Sequence, residues 1–158
     1  MEVHSLDNRE LEKMLATASL GRLACVSEGQ PYIALLYFGF DEGYLYSFTT
    51  MGRKIEWMRE NPRVCVAFDE IRSAWDWTSV ILFGEYEELK ETEPHQPLRE
   101  HAYKLLQQKR ALWWEPGYVR TKLGDRERQL DPVYFRIRVT EMTGRRGVRD
   151  GKRTGMRG

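Results

Sequence analysis

A mainly β (α+β) fold is predicted from this sequence: a six-stranded antiparallel barrel with helices packed outside. Three observations predict it. Apolar runs are separated by Glu-Gly turns at 27–30 and 41–43, the pattern of a β-meander. The run Tyr32–Phe38 carries almost no polar residue, so both faces of that strand need cover, as in a barrel or beneath a partner subunit. Helical periodicity is confined to short stretches between the strands.

Along the chain, Asp7 followed by Glu10 reads as a helix N-cap with its capping partner. Leu11, Met14, Leu15 and Ala18 then recur at helical spacing, with Gly21 as a stop. Strands follow over Arg22–Val26, Tyr32–Phe38 and Tyr44–Phe48. Ile55 and Met58 give a short second helix one buried face, and Asn61-Pro62 ends it. Val64–Phe68 and the longer Thr78–Tyr86 read as strands, with Gly84 marking a bulge or a close backbone approach. Pro97–Lys109 reads as a helix, Trp113–Tyr118 as an aromatic turn and Val133–Val139 as the closing strand. The basic, Gly-rich stretch from Arg145 lacks apolar periodicity and is expected to be disordered. No linker divides the chain. The expected organisation is one domain over residues 1–146 and a tail over 147–158.

Composition removes several function classes. Lys plus Arg total 25 against 24 for Asp plus Glu, which gives no support to a nucleic-acid partner or a membrane surface. The polar, acidic N-terminus is unlike a signal peptide, and no run approaches the ~20 apolar residues of a membrane span. A soluble, cytoplasmic protein is the expectation. The 2 cysteines, Cys25 and Cys65, sit in apolar runs and read as buried free thiols. No Cys/His spacing suits a metal, and none of the 3 histidines has a nucleophile partner. The acidic pairs Asp69-Glu70 and Glu87-Glu88 read as solvated surface. No residue stands out as a catalytic acid or base.

One segment carries chemistry by its own pattern. In Ser47-Phe48-Thr49-Thr50-Met51-Gly52-Arg53-Lys54, a strand ends in hydroxyl residues, a glycine follows, and two cations open a helix. Free N–H groups, the helix dipole and the two cations suit a phosphate. A solvated Arg-Lys pair at an ordinary helix start has the same pattern.

The ordered set Leu20–Ala24, Pro31–Phe38, Gly52-Arg53-Lys54, Asn61-Pro62-Arg63-Val64, Trp77–Tyr86 and Phe135–Val139 with Thr143-Gly144-Arg145 resembles the pyridoxamine 5′-phosphate oxidase superfamily and its small relatives, the FMN-binding split barrels. The resemblance covers residues 5–146 and implies a split β-barrel that binds FMN at a homodimer interface. It implies that Arg53 and Lys54 hold the flavin phosphate and that Thr49, Thr50 and Gly52 complete the phosphate loop. It places the backbone of Ser47 and Phe48 against the flavin, and Tyr32, Ile33, Ala34, Leu35, Leu36 and Tyr37 under the isoalloxazine and ribityl chain. Ser79 falls where the family keeps a polar side chain near the ring. Trp113, with Trp114, covers a flavin pocket, closes a dimer interface or fills the core.

The implied activity is electron transfer from a reduced nicotinamide to a small acceptor, with the flavin carrying the redox chemistry. Two alternatives keep the same barrel. One is a reductase using the deazaflavin F420, whose phosphate-bearing side chain would use the same two cations. The other is a non-catalytic flavin or haem carrier or sensor, with His101 as the haem ligand. The Arg-x-His element with which true pyridoxamine phosphate oxidases grip substrate has no counterpart here. The loop Tyr46–Thr49 also lacks the histidine of nitroimidazole-resistance-like relatives.

Overall fold

Two Glu-Gly turns set the register of the first hairpins. The computed structural model describes residues 1–108, 120–123, 126–129 and 132–150, with backbone alone over 120–129. Trp113, the aromatic turn at 113–118 and the tail from 151 lie outside the described residues. Glu28 and Gly29 have φ of 49° and 77°, and Glu42 and Gly43 have 44° and 81°. Positive φ at both central residues is the type I′ geometry that matches the twist of paired strands. The first turn joins β2 (Leu20–Ser27) to β3 (Gln30–Tyr37), and the second joins β4 (Gly39–Asp41) to β5 (Tyr44–Thr50).

The barrel closes because one chain passage serves two neighbours. Residues 30–41 run almost straight from β3 into β4, interrupted only at Phe38, whose ring is buried. The first half pairs with β2 and the second with β5. The strand order is β3-β2-β6-β7-β10-β5-β4, where β6 is Arg63–Ser73, β7 is Asp76–Leu89 and β10 is Pro132–Val148. Both ends of that order are therefore the same stretch of chain, and every pairing is antiparallel. The six expected barrel strands become eight in the sheet because Phe38 splits one of them and β1 (Glu2–Ser5) adds to β10. A separate hairpin pairs β8 (Arg120–Leu123) with β9 (Arg126–Gln129).

Inside the barrel, Leu23, Cys25, Phe38, Leu45, Val66, Phe68, Val80, Leu82, Phe135 and Ile137 form one core. The first helix, α1 (Asn8–Thr17), adds Leu11, Met14 and Leu15 to it, and α2 (Arg53–Glu60) adds Ile55 and Met58. The third, α3 (Gln96–Gln107), packs Ala102 and Leu106 on Tyr46, Phe48 and Tyr134 as a second cluster. No described helix is long and apolar enough to cross a membrane.

Several expectations change. Gly21 is not a helix stop: α1 ends at Thr17, and Gly21 is buried inside β2, where a Cβ would lie 2.9 Å from atoms of Phe38, Val66 and Phe68. Residues 145–148 are not disordered. They continue β10, paired with Ser79–Trp77 of β7 on one edge and with β1 on the other. Local composition missed this because two partner strands, not apolar periodicity, hold the segment. Gly84 is a close approach, and β10 carries the bulge opposite it, between Val139 and Glu141.

The α1 capping box is complete: the Glu10 N–H donates to Asp7 Oδ1 at 2.9 Å, and the Asp7 N–H donates to Glu10 Oε2 at 3.0 Å. Asp7→Ala orphans one of these donors, so a loss of about 1 kcal/mol is expected. A thermal melt should show Tm lower by roughly 2–4 °C.

Candidate functional site

The first turn of α2 differs from that of α1 in one respect. No side chain caps it: the N-cap is Gly52, and no side-chain hydrogen bond serves the N-terminus. The backbone donors that open a helix are thus left for water or an anion. A Cβ on Gly52 would meet nothing within 4 Å, so the approach is open. Arg53 is exposed and Lys54 half-buried. Among the described residues neither cation forms an ion pair, and Glu56 of the same turn is exposed without contacting either.

The two cations are held differently. Burial pushes the Lys54 ammonium below the usual lysine range, opposed by the neighbouring Cys25 thiol, which burial pushes up. A desolvated ammonium without a carboxylate gains from an anion. The Arg53 guanidinium lies 5.8 Å from the centroid of Tyr32 and 5.9 Å from that of Trp57. Those rings meet edge to face at 5.7 Å. Fixing an arginine side chain costs up to about 2 kcal/mol of rotamer entropy. Two exposed cation–π contacts return roughly 0.5–1 kcal/mol each, so the contacts nearly offset the cost. Trp57 was not among the expected site residues, although its i,i+4 spacing from Arg53 was a readable signal.

The end of β5 forms another side of the site. β4 pairs with β5 only through Tyr44–Tyr46. From Ser47 to Thr50 that edge has no strand partner among the described residues, so its backbone can meet a ligand. The side chains there are less available. Ser47 is fully buried and donates to the Tyr37 carbonyl at 2.6 Å. Phe48 turns its ring into the α3 cluster, 5.6 Å from Tyr134. Thr49 is buried, and Thr50 is half-buried.

The pleat divides the expected run 32–37. Tyr32, Ala34 and Leu36 share a face with the buried Cys25 and Leu23, whereas Ile33 and Leu35 are 67% and 57% exposed on the opposite face. These six side chains cannot all meet one ligand. Within the single chain the inner face of this strand is covered and its outer face is open. Ser79 lies on that outer face with Ile81 and Phe83, paired to Asp69 of β6 and Arg145 of β10. A depression of about 570 Å³ on the outer face is lined by Ala24, Val26, Cys65, Phe83 and Thr140, with Arg63 and Glu85 beside them.

Two further readings change. Glu88 is not a solvated acid: it accepts two hydrogen bonds from Arg59 at 2.7 Å and one from Tyr86 at 3.0 Å, tying the C-terminal turn of α2 to β7. Arg59 holds the Glu88 carboxyl below its usual range. Asp69 pairs with Arg22. His101 has its Nε2 2.9 Å from Asp41 and its ring against Tyr46, so the nitrogen a haem iron would need is already engaged. Among the described residues no group of three or more His, Cys, Asp or Glu could hold a metal ion.

The family model described as pyridoxamine 5′-phosphate oxidase matches residues 7–146. An uncharacterized protein of Rhizobium meliloti is 36% identical over 145 residues, covering 92% of this chain and 95% of its own. The crystal structure of a FAD-binding protein from Mesorhizobium loti is 40% identical, with a TM-score of 0.76, over 93% of this chain and 99% of that one. The FAD-binding protein of Mycobacterium smegmatis superposes with a TM-score of 0.61 over 90% of this chain and 98% of that one. At 18% identity it shows the shared fold alone.

Proposed function

This chain belongs to the pyridoxamine 5′-phosphate oxidase family, and on that footing we propose that it binds a flavin nucleotide, FMN, through its phosphate at the start of α2. The observation that carries this reading is the uncapped first turn at Gly52, flanked by Arg53 and Lys54 with no carboxylate on either among the described residues. The three donor sets suit a phosphate dianion: backbone N–H groups, a planar guanidinium and a half-buried ammonium. Thr50 and the open β5 edge would complete the cradle, and the backbone of β3 would meet the rest of the cofactor; Ser79, on the outer face, would reach it only across a dimer interface.

A bound flavin supplies hydride and single-electron transfer, and the reading includes transfer from a reduced nicotinamide to a small acceptor. The chain's own contribution is binding, orientation and exclusion of water, since among the described residues no acid or base is poised in the site. The test is an absorbance titration of the purified protein with FMN, FAD and riboflavin, followed by NADH and NADPH oxidation by the loaded protein. FAD is included because it shares the phosphate and the M. loti relative is described as FAD-binding. Tight FMN binding with weak riboflavin binding is expected. A protein that takes up neither nucleotide overturns the reading.

The site is further proposed to lie at a homodimer interface. Ile33, Leu35, Ile81 and Phe83 stand exposed on one face of the sheet, with Ala24, Cys65 and Ala67 between them in register and one charged residue, Arg22, which pairs with Asp69. Such a patch on a soluble chain calls for a cover, and a second copy offers a matching apolar surface. Leu35→Asp places a charge in that contact and should weaken dimerisation at least about 30-fold. Light scattering across a dilution series reads the shift. A wild-type chain that is monomeric at micromolar concentration contradicts the dimer.

A further inference from the structure

Several arginines elsewhere in this protein are held by carboxylates. Arg59 pairs with Glu88, Arg99 with Glu91, Arg136 with Glu87, Arg138 with Glu85, and Arg146 with Glu10. Arg53 is held differently: two aromatic rings support it, and among the described residues no carboxylate touches it. The two kinds of support have different electrical consequences. A carboxylate accepts the guanidinium's N–H donors and neutralises its charge. A ring face attracts the cation through its quadrupole while leaving the in-plane donors free.

The rings are themselves fixed. Trp57 lies one turn beyond Arg53 on α2, and both Trp57 and Tyr32 pack on the buried core. Tyr32 comes from β3, so the pair bridges helix and sheet. The C-terminal end of α2 is pinned separately, by Arg59 on Glu88 and by the Asn61 side-chain amide on the Val26 carbonyl at 3.3 Å. A guanidinium seated on this corner has both its position and its charge set before any anion arrives.

We propose that Trp57, together with Tyr32, is a positioning residue that holds Arg53 un-neutralised and oriented for the cofactor phosphate. The inference rests on the phosphate reading above and adds to it two residues that act through Arg53.

The experiment compares dissociation constants for FMN and riboflavin, because their ratio isolates the phosphate. Trp57→Leu removes the ring but keeps an apolar side chain against the core. The ratio is expected to narrow roughly threefold to fivefold, the size of one exposed cation–π contact. Trp57→Phe keeps a ring and should restore most of the discrimination. In an Arg53→Met background Trp57→Leu should narrow the ratio no further, since the residue it positions is gone. An unchanged ratio in Trp57→Leu overturns the proposal, and so does an equal loss in the Arg53→Met background, which marks a merely structural role. A wild-type ratio near one overturns the phosphate reading itself, and this inference with it. Should Trp57→Leu fail to fold by circular dichroism, Tyr32→Leu carries the same comparison from the β3 side, with the same outcomes deciding.

Discussion

Replacing Lys54 with methionine is expected to lower FMN affinity by one to two orders of magnitude while changing riboflavin affinity less than about twofold. The size follows from the site. A charge-assisted hydrogen bond to a phosphate is worth about 1.5–3 kcal/mol, which is roughly 10- to 150-fold in a dissociation constant. Lys54 is half-buried and has no competing carboxylate among the described residues, so little of that contribution is lost to screening. Methionine keeps the length and apolar stem of the side chain, so packing near Cys25 is preserved. Equal losses for FMN and riboflavin would show a collapsed site instead of a missing charge.

The same residue sets a pH profile. The second ionisation of a phosphate monoester lies near about 6, so FMN affinity should rise through that value. It should fall again on the alkaline side, at a pH below the usual lysine range, because burial lowers the Lys54 value. Riboflavin affinity should be flat, and Lys54→Met should lose the alkaline limb. Without ligand the sign for stability is opposite. The folded value lies below the unfolded one, so the cost of burying the charge is felt in full below the folded value. That cost disappears as pH rises to the unfolded value, so apo-protein stability increases across this window. Thermal melts with and without FMN separate the two trends.

Gly84→Ala is expected to be the most damaging single-methyl change in the sheet. A Cβ at Gly84 would lie 2.4 Å from the Arg138 carbonyl oxygen and 2.6 Å from Ile137 Cγ2. The first obstacle is backbone, and it belongs to β10 where that strand bulges between Val139 and Glu141. No rotamer change relieves the clash, so β7 and β10 must separate along their shared ladder. Overpacking of a rigid site costs about 3 kcal/mol or more, against a total stability of only about 5–15 kcal/mol. A Tm lower by roughly 6–12 °C is expected. Gly39→Ala is the control. Its Cβ would meet Leu105 at 2.5 Å, but that is a side chain on α3 which can turn away. Gly39→Ala melting below Gly84→Ala would show that the side chain, not the carbonyl, is the harder obstacle.

Much of this molecule was readable from local pattern. The two Glu-Gly turns, the Asp7/Glu10 box and the alternation of Val64, Val66 and Phe68 each depend on neighbours within a few residues. Periods of 2 and 3.6, and caps at fixed offsets, express such dependence directly. The uncapped start of α2 was legible in the same way, because a glycine followed by two cations is itself a local arrangement.

What escaped was decided across the chain. Arg145–Val148 look unstructured alone but lie between β7 and β1. Gly21 resembled a helix stop until Phe38, Val66 and Phe68 closed around it. The Ser47 hydroxyl is spent on the Tyr37 carbonyl, a partner ten residues back that no local pattern names. Which face of Tyr32–Tyr37 is covered, and the meeting of Tyr32 with Trp57 over Arg53, came from the packing of α2 and the barrel core on one side of β3. The sequence by itself determined where strands, turns and the cationic helix start would form, because those preferences are short-ranged. Only the tertiary structure decided which face each residue presents and which partner it meets, because burial and hydrogen bonding depend on segments that folding alone brings together.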